Sequence, residues 1–138
     1  MEVLYDKQDD RYYIQEQVNG QTFMMEMAMI DWNDDTVYFN VYLHLYSKRK
    51  HMVVEESEAR TTGKQSFMKT WILAKEAFLL LEKEVLRDYS HYNVVIYVAW
   101  SDNRRRDIYY HYLSKIGYQY GRDTDNKKCI FKKFKRKD

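Results

Sequence analysis

The spacing of apolar positions changes once along this chain. Residues 11–18 and 22–30 have strand character and flank Asn19-Gly20, a dipeptide that favours a tight hairpin because both central residues of that turn take positive φ. Asp31-Trp32-Asn33-Asp34-Asp35 has turn chemistry. Residues 36–46, rich in β-branched and aromatic side chains, predict a third strand, Lys48-Arg49-Lys50 a polar turn, and residues 51–56 a short fourth strand. Beyond residue 65 the period lengthens. Phe67, Trp71, Ala74, Phe78, Leu81 and Val85 recur three and four apart, which predicts a long amphipathic helix over 66–89 with Ser66 as its N-cap. Residues 93–99 are almost continuously apolar and predict a strand buried on both faces. A second helix is expected near 104–116, ended by Gly117, and two short strands near 118–122 and 128–134, with Gly121 and residues 123–126 turning between them.

The predicted order is β-β-β-β-α-β-α-β-β, an α+β class with a mixed central sheet, partly parallel around 93–99 and antiparallel elsewhere. With no linker and no internal repeat, residues 1–138 are expected to form a single domain. The chain contains no proline, so few breaks are forced on these elements, and its 14 tyrosines suit strands. The one cysteine, Cys129, has no partner for an internal disulfide, no apolar run reaches the length of a membrane helix, and no signal-peptide pattern opens the sequence. A cytoplasmic protein with no membrane contact is the expectation.

Charge alters this picture more than composition does. Residues 1–59 carry 5 basic and 12 acidic side chains, a net of −7, and residues 60–138 carry 18 and 9, a net of +9. A basic second half predicts an anionic partner, either a phosphate-rich cofactor or nucleic acid.

The segment best suited to an anion joins the fourth strand to the long helix: Arg60-Thr61-Thr62-Gly63-Lys64-Gln65. A helix N-terminus offers backbone N–H groups without intrahelical acceptors and a partial positive charge. Gly63 permits close backbone approach, and Arg60 and Lys64 add cationic charge. A nucleotide P-loop does not fit, because its earlier glycine is missing and Gln65 stands where it needs Ser or Thr.

This turn resembles the Arg/Gln-x-x-Gly-x-Gly/Ala motif of the GNAT superfamily of acyl-CoA-dependent N-acyltransferases, matching at Arg60 and Gly63 and departing at Gln65. The resemblance extends over residues 50–134, through Asn103 after the apolar strand and Leu113-Ser114-Lys115-Ile116-Gly117-Tyr118 at the end of the second helix. It implies a GNAT-like fold with reduced N-terminal helices, since Asn19-Gly20 leaves no room for the helices the family carries between its first two strands. It also implies acetyl-CoA as cosubstrate, an amine as acceptor, pyrophosphate on the backbone amides of Thr61 to Gln65, and contact of Asn103 with the pantetheine arm or thiol. Leu113 occupies the place of the family's frequent catalytic tyrosine, with Tyr112 as its neighbour.

Direct acyl transfer needs a base for the ammonium and an acid for the leaving thiolate. Glu56, beside Glu55, is the candidate base and Tyr112 the candidate acid, with Tyr109 and Tyr110 as competitors. The four histidines show no close ligand spacing, and Cys129 has no histidine partner in any recognisable signature, so neither a metal site nor a cysteine nucleophile is expected. The alternative functions are a non-catalytic binding module on the same scaffold and a small nucleic-acid-binding protein. For the latter, residues 127–137 interleave lysines with Ile130, Phe131 and Phe134, and Arg104-Arg105-Arg106 adds basic charge.

Overall fold

Residues 11–18 and 21–28 pair as an antiparallel hairpin. Val18 pairs with Gln21, and Gly20 sits at φ +75°. The computed structural model of the chain describes residues 1–18, 20–47, 52–54, 64–99 and 103–137. In chain order these form β1 (Leu4–Asp6), β2 (Arg11–Val18), β3 (Gln21–Trp32), β4 (Thr36–Ser47), β5 (Met52–Val54), α1 (Lys64–Asp88), β6 (Asn93–Val98), α2 (Asn103–Leu113), a 3-10 turn (Ser114–Ile116), β7 (Gln119–Arg122) and β8 (Lys128–Phe134). The class is α+β with a mixed sheet. Hydrogen-bonded neighbours run β1-β2-β3-β4-β6-β8-β7, and β5 pairs with β4 off that path. β4 and β6 pair in parallel, while the β1–β2, β2–β3, β4–β5, β6–β8 and β7–β8 pairs are antiparallel. No helix among the described residues is long and apolar enough to cross a membrane.

Three local expectations are corrected. The chain gains a strand, β1, whose Leu4–Asp6 pair with Tyr13–Arg11. Short and largely exposed, it lacked the apolar alternation that marks a strand. Ser66 is not a cap, because α1 already begins at Lys64. Gly121 lies within β7 opposite Cys129 rather than in a turn. A Cβ there would meet the Phe131 ring at 2.3 Å, so this glycine makes room for an aromatic ring lying across the strand.

The residues group into two compact units. In the first, made of residues 1–28 and 42–88, α1 packs on β2. Ile14, Phe23, Met27, Ala77, Leu81 and Val85 are wholly buried there. They come from alternate strand positions and from one stripe of α1, as the two periods require. Ala74 and Phe78 join that stripe, while Ile72, Leu79 and Leu80 face outward. Tyr12 Oη donates to Asp88 Oδ2 at 2.7 Å, tying β2 to the last turn of the helix.

The second unit, residues 29–41 and 89–138, is built on β6, where Val94, Val95, Ile96, Tyr97 and Val98 are all buried. Tyr97 lies between Tyr38, stacked at 6.3 Å, and Phe131 at 6.4 Å. Gly117 ends the helical segment at φ +96°, with Tyr118 N donating to Leu113 O at 3.0 Å, the six-to-one bond of a Schellman ending. Asp123 organises the final hairpin by accepting at Oδ1 from the backbone N–H groups of Asp125 and Lys127, each at 2.9 Å.

Gly20 isolates the cost of its backbone conformation, since a Cβ there would touch nothing within 4 Å. Gly20→Val should lower unfolding free energy by about 1–2 kcal/mol, and Gly20→Asn by clearly less, as read from urea midpoints.

Candidate functional site

The strand–turn–helix join holds the predicted phosphate turn, and its two borders are placed. Upstream, β5 folds back along the end of β4, with Leu45 opposite Val54 and Ser47 opposite Met52. Downstream, α1 begins at Lys64 and continues for 25 residues. Glu55, Glu56, Arg60, Thr61, Thr62 and Gly63 lie outside the described residues. Lys64 and Gln65 are the first two residues of α1, so their N–H groups are among those a helix leaves without internal acceptors. The first turn contains no acidic side chain, so nothing there competes for the positive end of the helix.

The parallel partner of β6 is β4, from Thr36 opposite Asn93 to Val41 opposite Val98, and not the 52–54 strand. The strand feeding the turn is therefore a short antiparallel arm of β4.

Asn103 is the exposed first residue of α2, and Tyr112 is half-buried one residue before its end. Nine residues at about 100° each place them on opposite sides of the helix, roughly 14 Å apart along its axis. The two do not converge on one reacting atom. Leu113 is buried at 6% exposure and serves the core.

The structure also assembles a charged cluster that sequence reasoning missed. Arg11 Nη1 donates to Glu26 Oε2, Arg11 Nε donates to Asp6 Oδ2 at 3.2 Å, and His44 Nε2 lies 3.5 Å from Glu26 Oε1. The bond to Glu26 holds the Arg11 guanidinium above its ordinary pKa, although partial burial opposes this. Arg11 also lies over the Tyr13 ring at 5.0 Å, and His44 stacks on Tyr42 at 6.4 Å. One signal was available in the sequence. With Asn19-Gly20 as the turn, Tyr13 must oppose Glu26, which places Arg11 on its diagonal.

Cys129 is buried, and burial, with a smaller contribution from the Asp123 charge, pushes its thiol up to about 11. At neutral pH it is a protonated core side chain without thiolate reactivity. The unfolded chain ionises at the ordinary value of 9.0, so this effect on stability is constant below pH 9, and stability falls as pH rises from 9 towards 11. Cys129→Ala should flatten that alkaline decline, measured by thermal melting between pH 8 and 11. Lys132 of the basic C-terminal stretch also turns inward. Its Nζ donates to Ile116 O at 2.7 Å and lies 4.7 Å from the Phe134 ring centroid, so it serves the 3-10 turn and not an open cationic face. Among the described residues, no group of three or more His, Cys, Asp or Glu side chains is arranged to hold a metal ion. No protein-family model, no curated protein and no solved structure matches the chain.

Proposed function

We propose that this protein binds acetyl-CoA through the segment from Arg60 to Gln65 and transfers the acetyl group to an amine. The observation that carries the reading is the start of α1. A 25-residue helix begins at Lys64, directly after Gly63, with no acid in its first turn. The last two residues of the GNAT-like motif therefore contribute first-turn N–H groups, the arrangement that suits a pyrophosphate. A mixed sheet with a parallel β4–β6 pair and α1 in the chain between them supports the α+β part of this reading, while β5, the strand that feeds the turn, pairs with β4 and not with β6.

In this reading Arg60 and Lys64 neutralise the diphosphate, the backbone of residues 61–65 hydrogen-bonds it, Glu56 takes the ammonium proton and Tyr112 protonates the leaving thiolate. Asn103, on the opposite side of α2 from Tyr112, contacts the arm away from the reacting thioester. A non-catalytic acyl-CoA-binding module is the second reading, favoured by the burial of Leu113 at the family's tyrosine position.

Calorimetric titration with acetyl-CoA, followed by thiol release across a panel of amines, separates the two. Binding with turnover supports transfer, and binding without turnover on any amine supports the module. No heat and no thermal shift at about millimolar ligand would remove both.

A further inference from the structure

The second unit carries an open hollow of about 560 Å³, lined by Arg106 from α2, Tyr120, Gly121 and Arg122 from β7, and Lys128 and Cys129 from β8. The geometry points to a second ligand site here, for a mononucleotide-sized phosphate ester, distinct from the turn before α1.

Among the described residues, six line the hollow, of which three are cationic and none is acidic. Two are arginines, whose planar donor forks match phosphate oxygens. Two acidic neighbours are held in place, Asp107 by an ion pair of 3.0 Å with Arg106 Nε itself and Asp123 by two backbone N–H donors of its own loop. Arg122 is steadied by donation from Nη1 to Asn126 O at 2.9 Å, which leaves the rest of its guanidinium fork for a ligand. Lys128 is exposed.

The aromatic part is equally specific. Tyr110 of α2 and Tyr120 of β7 stack with ring centroids 4.0 Å apart and planes within 12°. That pair holds Tyr120 at the hollow, where the 45% of it that stays exposed gives a purine or pyrimidine a braced aromatic surface to pack on. At Gly121 the Phe131 ring sits where a side chain would project, so this stretch of the lining is backbone and ring and not another side chain. The volume falls within the range of about 300–1,000 Å³ usual for small-ligand sites. Three cations gathered on one hollow, with Lys132 committed to Ile116 O, suit one small phosphate ester better than a long polyanion.

Titration of the full chain with adenosine monophosphate, inorganic phosphate and an oligothymidylate tests this. Adenosine monophosphate should bind below about 1 mM, and Arg122→Ala and Lys128→Ala should each weaken it about tenfold. Both side chains are exposed, so matched thermal melting would confirm intact folding. Tyr120→Leu should weaken adenosine monophosphate and leave inorganic phosphate unchanged. Absence of nucleotide binding, or binding indifferent to the Arg122/Lys128 double substitution, overturns the proposal. So does far tighter oligothymidylate binding with a salt dependence of many phosphate contacts, which would assign the surface to single-stranded nucleic acid. Gly63→Val separates this site from the proposed CoA turn, because binding at the hollow should survive it.

Discussion

Leu81→Ala should destabilise the protein by about 3–5 kcal/mol, while Leu79→Ala, two residues away on the same helix, should change stability by less than about 0.5 kcal/mol. Leu81 is wholly buried and Leu79 is 45% exposed. Deleting the Leu81 side chain removes both its transfer free energy and its packing contacts, because neighbours held by strand pairing relax only partly into the space. A domain of this size has about 5–15 kcal/mol of net stability, so the change consumes a large share of it. Urea unfolding followed by far-UV circular dichroism reads both variants. Equal effects at the two positions would mean that the apolar stripe of α1 does not face the sheet.

Gly63→Val should weaken acetyl-CoA binding by roughly a hundredfold or more, with the fold intact. If Gly63 approaches the pyrophosphate through its backbone, a β-branched side chain blocks the approach and restricts the conformations open to the turn. Gly63→Ala should fall between the two. Lys64→Ala should cost about tenfold and do so less at high salt, because it removes a screened charge and leaves the backbone donors in place. Calorimetry at two ionic strengths distinguishes these effects. Equal affinity in Gly63→Val and the parent chain would move the acyl-CoA site elsewhere or remove it. An unchanged thermal midpoint would show that the loss belongs to the ligand contact and not to unfolding.

Much of the backbone was readable from local chemistry. Asn19-Gly20 determined the hairpin register, the three-and-four spacing of Ala74, Phe78, Leu81 and Val85 identified the buried side of α1, and the apolar run at 93–98 marked the strand buried on both faces. Each signal lies within a single element, where periodicity translates directly into which side chains share a face. β1 escaped because a short exposed edge strand needs no alternation of its own. The candidate site was legible only as a motif. Residues 60–65 have anion-binding chemistry in sequence, yet the partners of such a turn come from other elements.

What the sequence determined alone was the α+β class, most element boundaries, the Gly117 helix ending and the concentration of positive charge in the second half. Tertiary structure decided the non-local matters. It placed β4, and not β5, beside β6, and it joined Arg11, Glu26 and His44 from three strands. It likewise committed Lys132 to Ile116 O and gathered Arg106, Arg122 and Lys128 around one hollow. Strand partners and clustered charges depend on which distant segments meet, and that follows from burying apolar faces together, a constraint on the whole chain that no local window contains.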